Sequence, residues 1–367
     1  YISKNQSLRR VVDFGALQIF DQATTYTNLL FLSRKKQQHF QYTKVDEITN
    51  LKNAKFEIID QFNEGDNWSF VNKKGRNILD KLNNGSIRLG NLPARIGRGS
   101  SSGNDNIFIL RKMGDSYVAR NGEGVEIETD ILRTPLYATD FGRYQFSPKS
   151  DDVIIFPYTV NKDGYSLISE IDLKKKFPMT YKYLLTNKKN LEKRKQFKTW
   201  YSFSAPRNLE VHDNANILVP LLAETGSFCP IESIKKYCLM ASGGFSITVD
   251  KNLYLSPDFV LGVLNSNLLF WNLKLISNVF RGGWITCTKQ YIRCIFTFLL
   301  TITHHDDVKQ HDKVVALVEH MLELHKRSPQ TPLEQEQLER EIAATDAQID
   351  RLVYDLYGLT EEEIRIV

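Results

Sequence analysis

The chain has 367 residues, 42% hydrophobic and 25% charged, with a formal net charge of +5. This length calls for two or three domains with a large buried core, and the composition is that of an ordinary globular protein. No run of eighteen apolar residues occurs, so no membrane span is expected.

Four cysteines, Cys229, Cys238, Cys287 and Cys294, form no CxxC pair, which fits reduced, mostly buried thiols in a cytoplasmic protein. The chain opens Tyr-Ile-Ser-Lys, without Met or a signal-peptide pattern, and reads as part of a longer protein. Aromatics at 11% point to β-rich parts.

Taken in order, Val11 to Phe14 and Thr27 to Leu32 read as strands. They are too few to bury a core alone, so they are expected to edge a sheet completed elsewhere. Phe56 to Ile59 is a further strand, and Arg76 to Leu82 a short helix stopped by Asn83-Asn84-Gly85. Residues 95–104 read as a flexible basic loop. Its glycines follow GxGxxxG with no GK[ST] after them, so it is either a mobile connection or a close approach to a nucleic-acid backbone. Ile107 to Leu110, Val153 to Phe156, Asn216 to Pro220 and Phe245 to Val249 are strand candidates. Phe259 to Ile276 has helical spacing, and Arg281-Gly282-Gly283-Trp284 turns the chain after it. In the tail, Val314, Leu317, Val318, Met321 and Leu322 form one helical stripe. Thr331-Pro332-Leu333-Glu334 is a capping box opening a second helix, closed by Gly358. The fold class expected is α+β: a mixed, β-rich central domain, a C-terminal helical hairpin, and the last strands of an α/β sheet before them.

Charge is concentrated in residues 174–207. Eleven Lys and Arg stand there against one acid, Glu192, about twice the net charge of the whole chain. Tyr181, Leu184, Leu185 and Leu191 fall near one helical face, with lysines around the rest. Trp200, Tyr201 and Phe203 follow, as faces for packing or for bases. Taken alone, such a run is more often a solvated helix face than a phosphate-binding one, and its place among the motifs below reverses that. From Glu319 to Val367, twelve acids face five bases, so the tail is a poor phosphate binder and is expected to brace the fold.

Catalytic chemistry is not legible. There is no HExxH, GxSxG or P-loop, and Pro257-Asp258 is not followed by a nuclease-type Glu-x-Lys. His304, His305 and His311 lie near Asp306, Asp307 and Asp312, a grouping explained more simply by helix capping than by a metal. No catalytic residue and no metal site is assigned.

The order of motifs resembles the C-terminal half of TaqI-like gamma-class adenine-N6 DNA methyltransferases, especially the fused type IIG restriction–modification enzymes. The matching pieces run from Val12-Asp13-Phe14 through the Gly97 to Leu110 segment, Ile155-Phe156-Pro157-Tyr158, Leu191 to Arg207, Leu261 to Ser266 and Phe280 to Gly283, to Asp350 to Ile364. The resemblance implies that residues 1–40 end the methyltransferase domain, residues 41–303 form the target recognition domain, and residues 304–367 the helical brace. The S-adenosylmethionine site and the Asn-Pro-Pro-Tyr motif of that family would lie upstream, so no cofactor is expected in this chain. Phe20 matches an aromatic that stacks on a flipped adenine; a core Phe is the alternative. The chain departs from the family at Ile295-Phe296-Thr297, where a proline is usual.

The partner implied is double-stranded DNA, beside the upstream methyltransferase domain of the same polypeptide. Lys188, Lys189, Lys193, Arg194, Lys198 and Arg207 are the phosphate-binding candidates. Arg98, Asn104, Arg143, Arg281 and Gln290 are the candidates for base edges, because Arg grips guanine and Asn or Gln grips adenine bidentately. A type I-like specificity subunit is less consistent with a single helical hairpin and no internal repeat. An enzyme in its own right and a protein-interaction module using the acidic tail rank below DNA recognition.

Overall fold

The computed structural model describes all residues except 16, 24, 63–67, 69, 85, 93, 162–163, 232–235, 251–254, 281–282 and 299–304. The fold is α+β, as expected.

The N-terminal sheet has four strands in the order Asn28–Leu32, Leu8–Asp13, His39–Lys44 and Glu57–Asp60. It therefore runs on past residue 40. Leu8, Val11, Phe40 and Ile59 are buried on one side of it, where Trp68 and Phe70 stack against Phe62. The edge strand Asn28–Leu32 is different: Leu29, Leu30, Phe31 and Leu32 are all exposed.

A six-stranded sheet forms the central lobe, in the order Tyr237–Leu239, Leu132–Leu136, Asp152–Ile155, Ile109–Met113, Ser116–Ala119, Gly124–Val125. Its core holds Phe108, Ile154, Ile155, Phe156 and Leu173, together with Leu184 and Leu191 of the basic segment. A second four-stranded sheet orders Cys229–Pro230, Ile217–Pro220, Gly244–Val249 and Ala94–Arg98. The reading of residues 95–104 as flexible is corrected here. Arg95 to Arg98 is an edge strand paired with Gly244–Val249, and Ser100 and Ser102 beyond it are buried.

The C-terminal helices pack on this second sheet in one large core with Ile217, Val219, Phe245 and Ile247. The expected helix 259–276 is two, Pro257–Asn265 and Asn267–Ile276, bent by 66°. Ser266 makes the break: its hydroxyl donates to the Val263 carbonyl at 2.7 Å and accepts from Leu269 N–H, capping the second helix. The pair is apolar but buried in the core, and no single helix among the described residues is long and apolar enough to cross a membrane. His305–Lys326 and Pro332–Leu356 form the hairpin, with the capping boxes at Thr331/Glu334 and Thr360/Glu363 both made. Gly262, in the helix Pro257–Asn265, lets that helix close on His305–Lys326: a Cβ there would lie 2.7 Å from Val318 Cγ2 and 3.1 Å from Val314 Cγ1.

Candidate nucleic-acid interface

The basic segment folds as Glu170–Lys176, Pro178–Thr186 and Lys188–Leu191, followed by an irregular return through Phe203. Pro178 occupies the first turn of its helix and Phe177 offers no side-chain cap. Glu128, fifty residues earlier, supplies it instead. Its carboxylate accepts from Met179 N–H at 2.8 Å, Thr180 N–H at 2.9 Å and the Thr180 hydroxyl at 2.6 Å. Burial pushes this carboxyl up, but the hydrogen bonds outweigh it and its pKa is lowered overall. The helix is thereby pinned to the six-stranded lobe with its one lysine, Lys182, exposed.

The aromatic cluster turns inward. Trp200, Tyr201 and Phe203 are 7%, 2% and 1% exposed and belong to the lobe's core. The Tyr201 hydroxyl donates to the Ile168 carbonyl at 2.7 Å, and Phe203 stacks edge-on against Phe108 at 5.3 Å. Of the two roles open to these rings, packing is the one realised; they present no face to a base.

The predicted cations divide into two sets. Lys189, Lys193, Lys198 and Arg207 are exposed, and Lys188 is half-exposed, with its ammonium 5.1 Å over the Trp200 ring and 3.9 Å from Glu192. Lys182 and Lys195 are exposed beside them. Arg194 is turned in. Its Nε donates to Leu191 O at 2.8 Å, Nη1 to Ser102 O and Ser202 O at 2.7 Å each, and Nη2 to Trp200 O at 2.6 Å. A guanidinium holding four carbonyls is a brace, joining the loop at Ser102 to the return of the basic segment.

Arg143 is likewise committed inside. Its guanidinium grips Asp346 at 2.6 Å and donates to the carbonyls of Gly226 and Asn265, tying a hairpin turn to the long C-terminal helix. Nearby Asp350 accepts from the backbone and side-chain N–H groups of Asn267, and burial pushes its pKa up to about 6. Arg98 is exposed at a strand edge, while its carbonyl accepts from Asn208 and His212. Gln290 is exposed in a second basic cleft with Arg88, Lys289 and Arg293. Arg281 lies outside the described residues, as does His304, and the side chains of His305, Asp306 and Asp307 are not described. Phe20 is 54% exposed, so the core alternative for it is not realised. Among the described residues no group of His, Cys, Asp or Glu is placed to hold a metal.

The loop that carries Asn104 meets the basic segment directly. Ser101 pairs with Ala205 through two backbone hydrogen bonds of 3.0 Å, and Ser204 N–H donates to Ser102 O at 3.1 Å. Gly103 has φ +79°, and a Cβ there would run into Ser204, 2.6 Å from its Cβ. Between this loop, the tip of the Ser116–Ala119 hairpin and the basic segment lies a cleft of about 710 Å³. Five asparagines line it, Asn104, Asn106, Asn121, Asn187 and Asn190, with Arg120, Lys193, Arg194 and Lys195 and, among the described residues, no carboxylate. Asn106, Arg120 and Asn121 do not stand out in the sequence, where nothing links residues 104–106 and 120–121 to the basic run.

In sequence and in fold, the chain is similar to part of the type II restriction–modification enzymes. Over its whole length it is 22% identical to the Type II restriction enzyme and methyltransferase RM.Eco57I of Escherichia coli, of which it spans 39%. Its fold matches the type IIL restriction–modification enzyme MmeI, solved in complex with DNA, with a TM-score of 0.60 at 10% identity, over 98% of this chain and 44% of that one. The chain thus covers less than half the length of either protein. No family model matches it. The resemblance read from the order of motifs is borne out by these two likenesses.

Proposed function

We propose that this chain is the DNA-recognition part, C-terminal to the catalytic domain, of a type II restriction–modification enzyme. It holds a duplex by its phosphates and reads base edges, while an upstream methyltransferase domain with S-adenosylmethionine takes the target adenine out of the stack. The observation that carries this reading is the exposed lysine face of residues 182–198, pinned by Glu128 and bordering a cleft without carboxylates. Such a surface attracts a polyanion and releases its counterions on binding. The uncovered apolar strand Asn28–Leu32, with Phe20 and Tyr26 exposed nearby in the chain, supports contact with the upstream domain, since an open apolar sheet edge is a surface for pairing. The phosphate set is Lys188, Lys189, Lys193, Lys195, Lys198 and Arg207, with Arg194 as their brace.

Binding to mixed-sequence duplex over a salt series tests this. Each phosphate contact contributes about 0.9 to the slope of log K against log salt. Changing Lys188, Lys189, Lys193 and Lys195 to alanine is expected to reduce that slope by about 3.6. Binding absent at low salt, or a slope unchanged in the variant, contradicts the proposal.

A further inference from the structure

We infer that Asn104 and Asn106 form an adenine-reading pair in the major groove, set in the asparagine-lined cleft. The inference rests on the DNA-recognition reading and deepens it. Asn104 occupies the N-cap position of the turn Asp105–Phe108, a place where asparagine ordinarily caps with its side chain. Here it makes no such bond. Ser102 instead ties down the residues before the turn, its hydroxyl donating to the Asp105 carboxylate and accepting from Asn104 N–H at 3.2 Å. Among the described residues, neither the Asn104 nor the Asn106 amide has a hydrogen bond within the chain, although both line the cleft. Two amides left without partners in this way are available to a ligand.

The surroundings select that ligand. The loop carrying both amides is held by the Gly103–Ser204 approach and by Arg194 on the Ser102 carbonyl, so their backbone is fixed before binding. Lys193, Lys195 and Arg120, the last 3.9 Å from Asp152, line the cleft, and among the described residues no acid lines it, which favours a polyanion over a cation or a basic peptide. Arg120 and Asn121 sit exposed at the turn between the last two strands of the six-stranded sheet, Ser116–Ala119 and Gly124–Val125. An asparagine amide offers one donor and one acceptor side by side, matching N7 and N6–H of adenine, whereas guanine is matched by Arg or Lys. The amides therefore read adenine, and the flanking cations take phosphates.

The test is selection of binding sites from a randomised duplex pool with the full chain, wild type against Asn104→Ala/Asn106→Ala. The wild type is expected to prefer A·T at one position by about 10- to 100-fold, the range of a good bidentate contact. The double variant should lose that preference while keeping its melting temperature and the salt dependence of binding to mixed-sequence duplex. Placing 7-deazaadenine at the preferred position should weaken wild-type binding similarly and leave the variant unaffected. If the variant keeps the preference, if the wild type shows none, or if 7-deazaadenine weakens both proteins equally, the adenine-reading pair is overturned while DNA recognition stands. If the wild type binds no duplex at low salt, both fail.

Discussion

The basic segment, residues 174–207, and the C-terminal hairpin, His305–Lys326 with Pro332–Leu356, are both helical and opposite in charge, and they are held by different means. The hairpin is self-explanatory: apolar stripes at helical spacing bury Val314, Val318, Met321, Ile349 and Val353, and its caps lie within a few residues of the ends they close. The basic helices are short and take their support from afar, from Glu128 at one end and from Arg194 bridging to Ser102. A short helix is marginal alone. Support from distant residues leaves the lysine face with one ion pair among the described residues, Lys188 with Glu192, whereas the hairpin pairs many of its charges locally, as in Arg340 with Glu336 and Arg351 with Asp355.

Removing the distant support should have the greatest effect. Arg194→Ala should remove about 3 kcal/mol or more, because four carbonyls lose a charged donor in one step. The neighbouring Lys193→Ala should change stability by under about 0.5 kcal/mol, and denaturant midpoints of the two variants compare them directly. Equal effects would mean that Arg194 is a surface cation like its neighbours.

A pH effect of nearly the same size lies under the loop. Burial holds the imidazole of His212 down at about 4, although bonds to backbone carbonyls oppose that shift. Its unfolded value is about 6.5. The unfolded chain therefore binds the proton first, and stability falls as pH drops from about 6.5 to 4, by up to roughly 3 kcal/mol. His212→Gln should flatten this part of the melting-temperature profile; a slope unchanged in the variant would contradict the assignment.

Overpacking the hairpin's partner comes next. Gly262→Val should cost about 2 kcal/mol, since its Cβ alone meets Val318 at 2.7 Å. Thr331→Ala, which removes a cap accepting from Glu334 N–H at 3.2 Å, should cost about 1 kcal/mol. Both should leave the DNA salt slope as it is. A changed slope in either would show that the hairpin contributes to binding beyond bracing the fold.

What was legible in the sequence follows the same division. The capping boxes, the hairpin stripes, the buried strands at 153–156 and 245–249 and the basic run are local patterns, and they stand where expected. The order of residues 95–104 was not legible, because Met240, Ala205 and Arg194 that fix this loop lie about a hundred residues away. Arg143 reads as a surface cation until Asp346, two hundred residues on, is placed against it. Trp200 and Phe203 read equally as stacking platforms or as core, and only the sheet beneath them decides for core.

The most direct measurement is a salt series of duplex binding on two charge variants of the full chain. One carries Lys188, Lys189, Lys193 and Lys195 changed to alanine; the other carries Glu334, Glu336 and Glu339 changed to glutamine. A phosphate-binding lysine face predicts a slope lower by about 3.6 in the first and near the wild-type value in the second. Equal slopes in all three proteins, or a slope altered only by the hairpin variant, would contradict the assignment of the basic segment as the DNA-binding face.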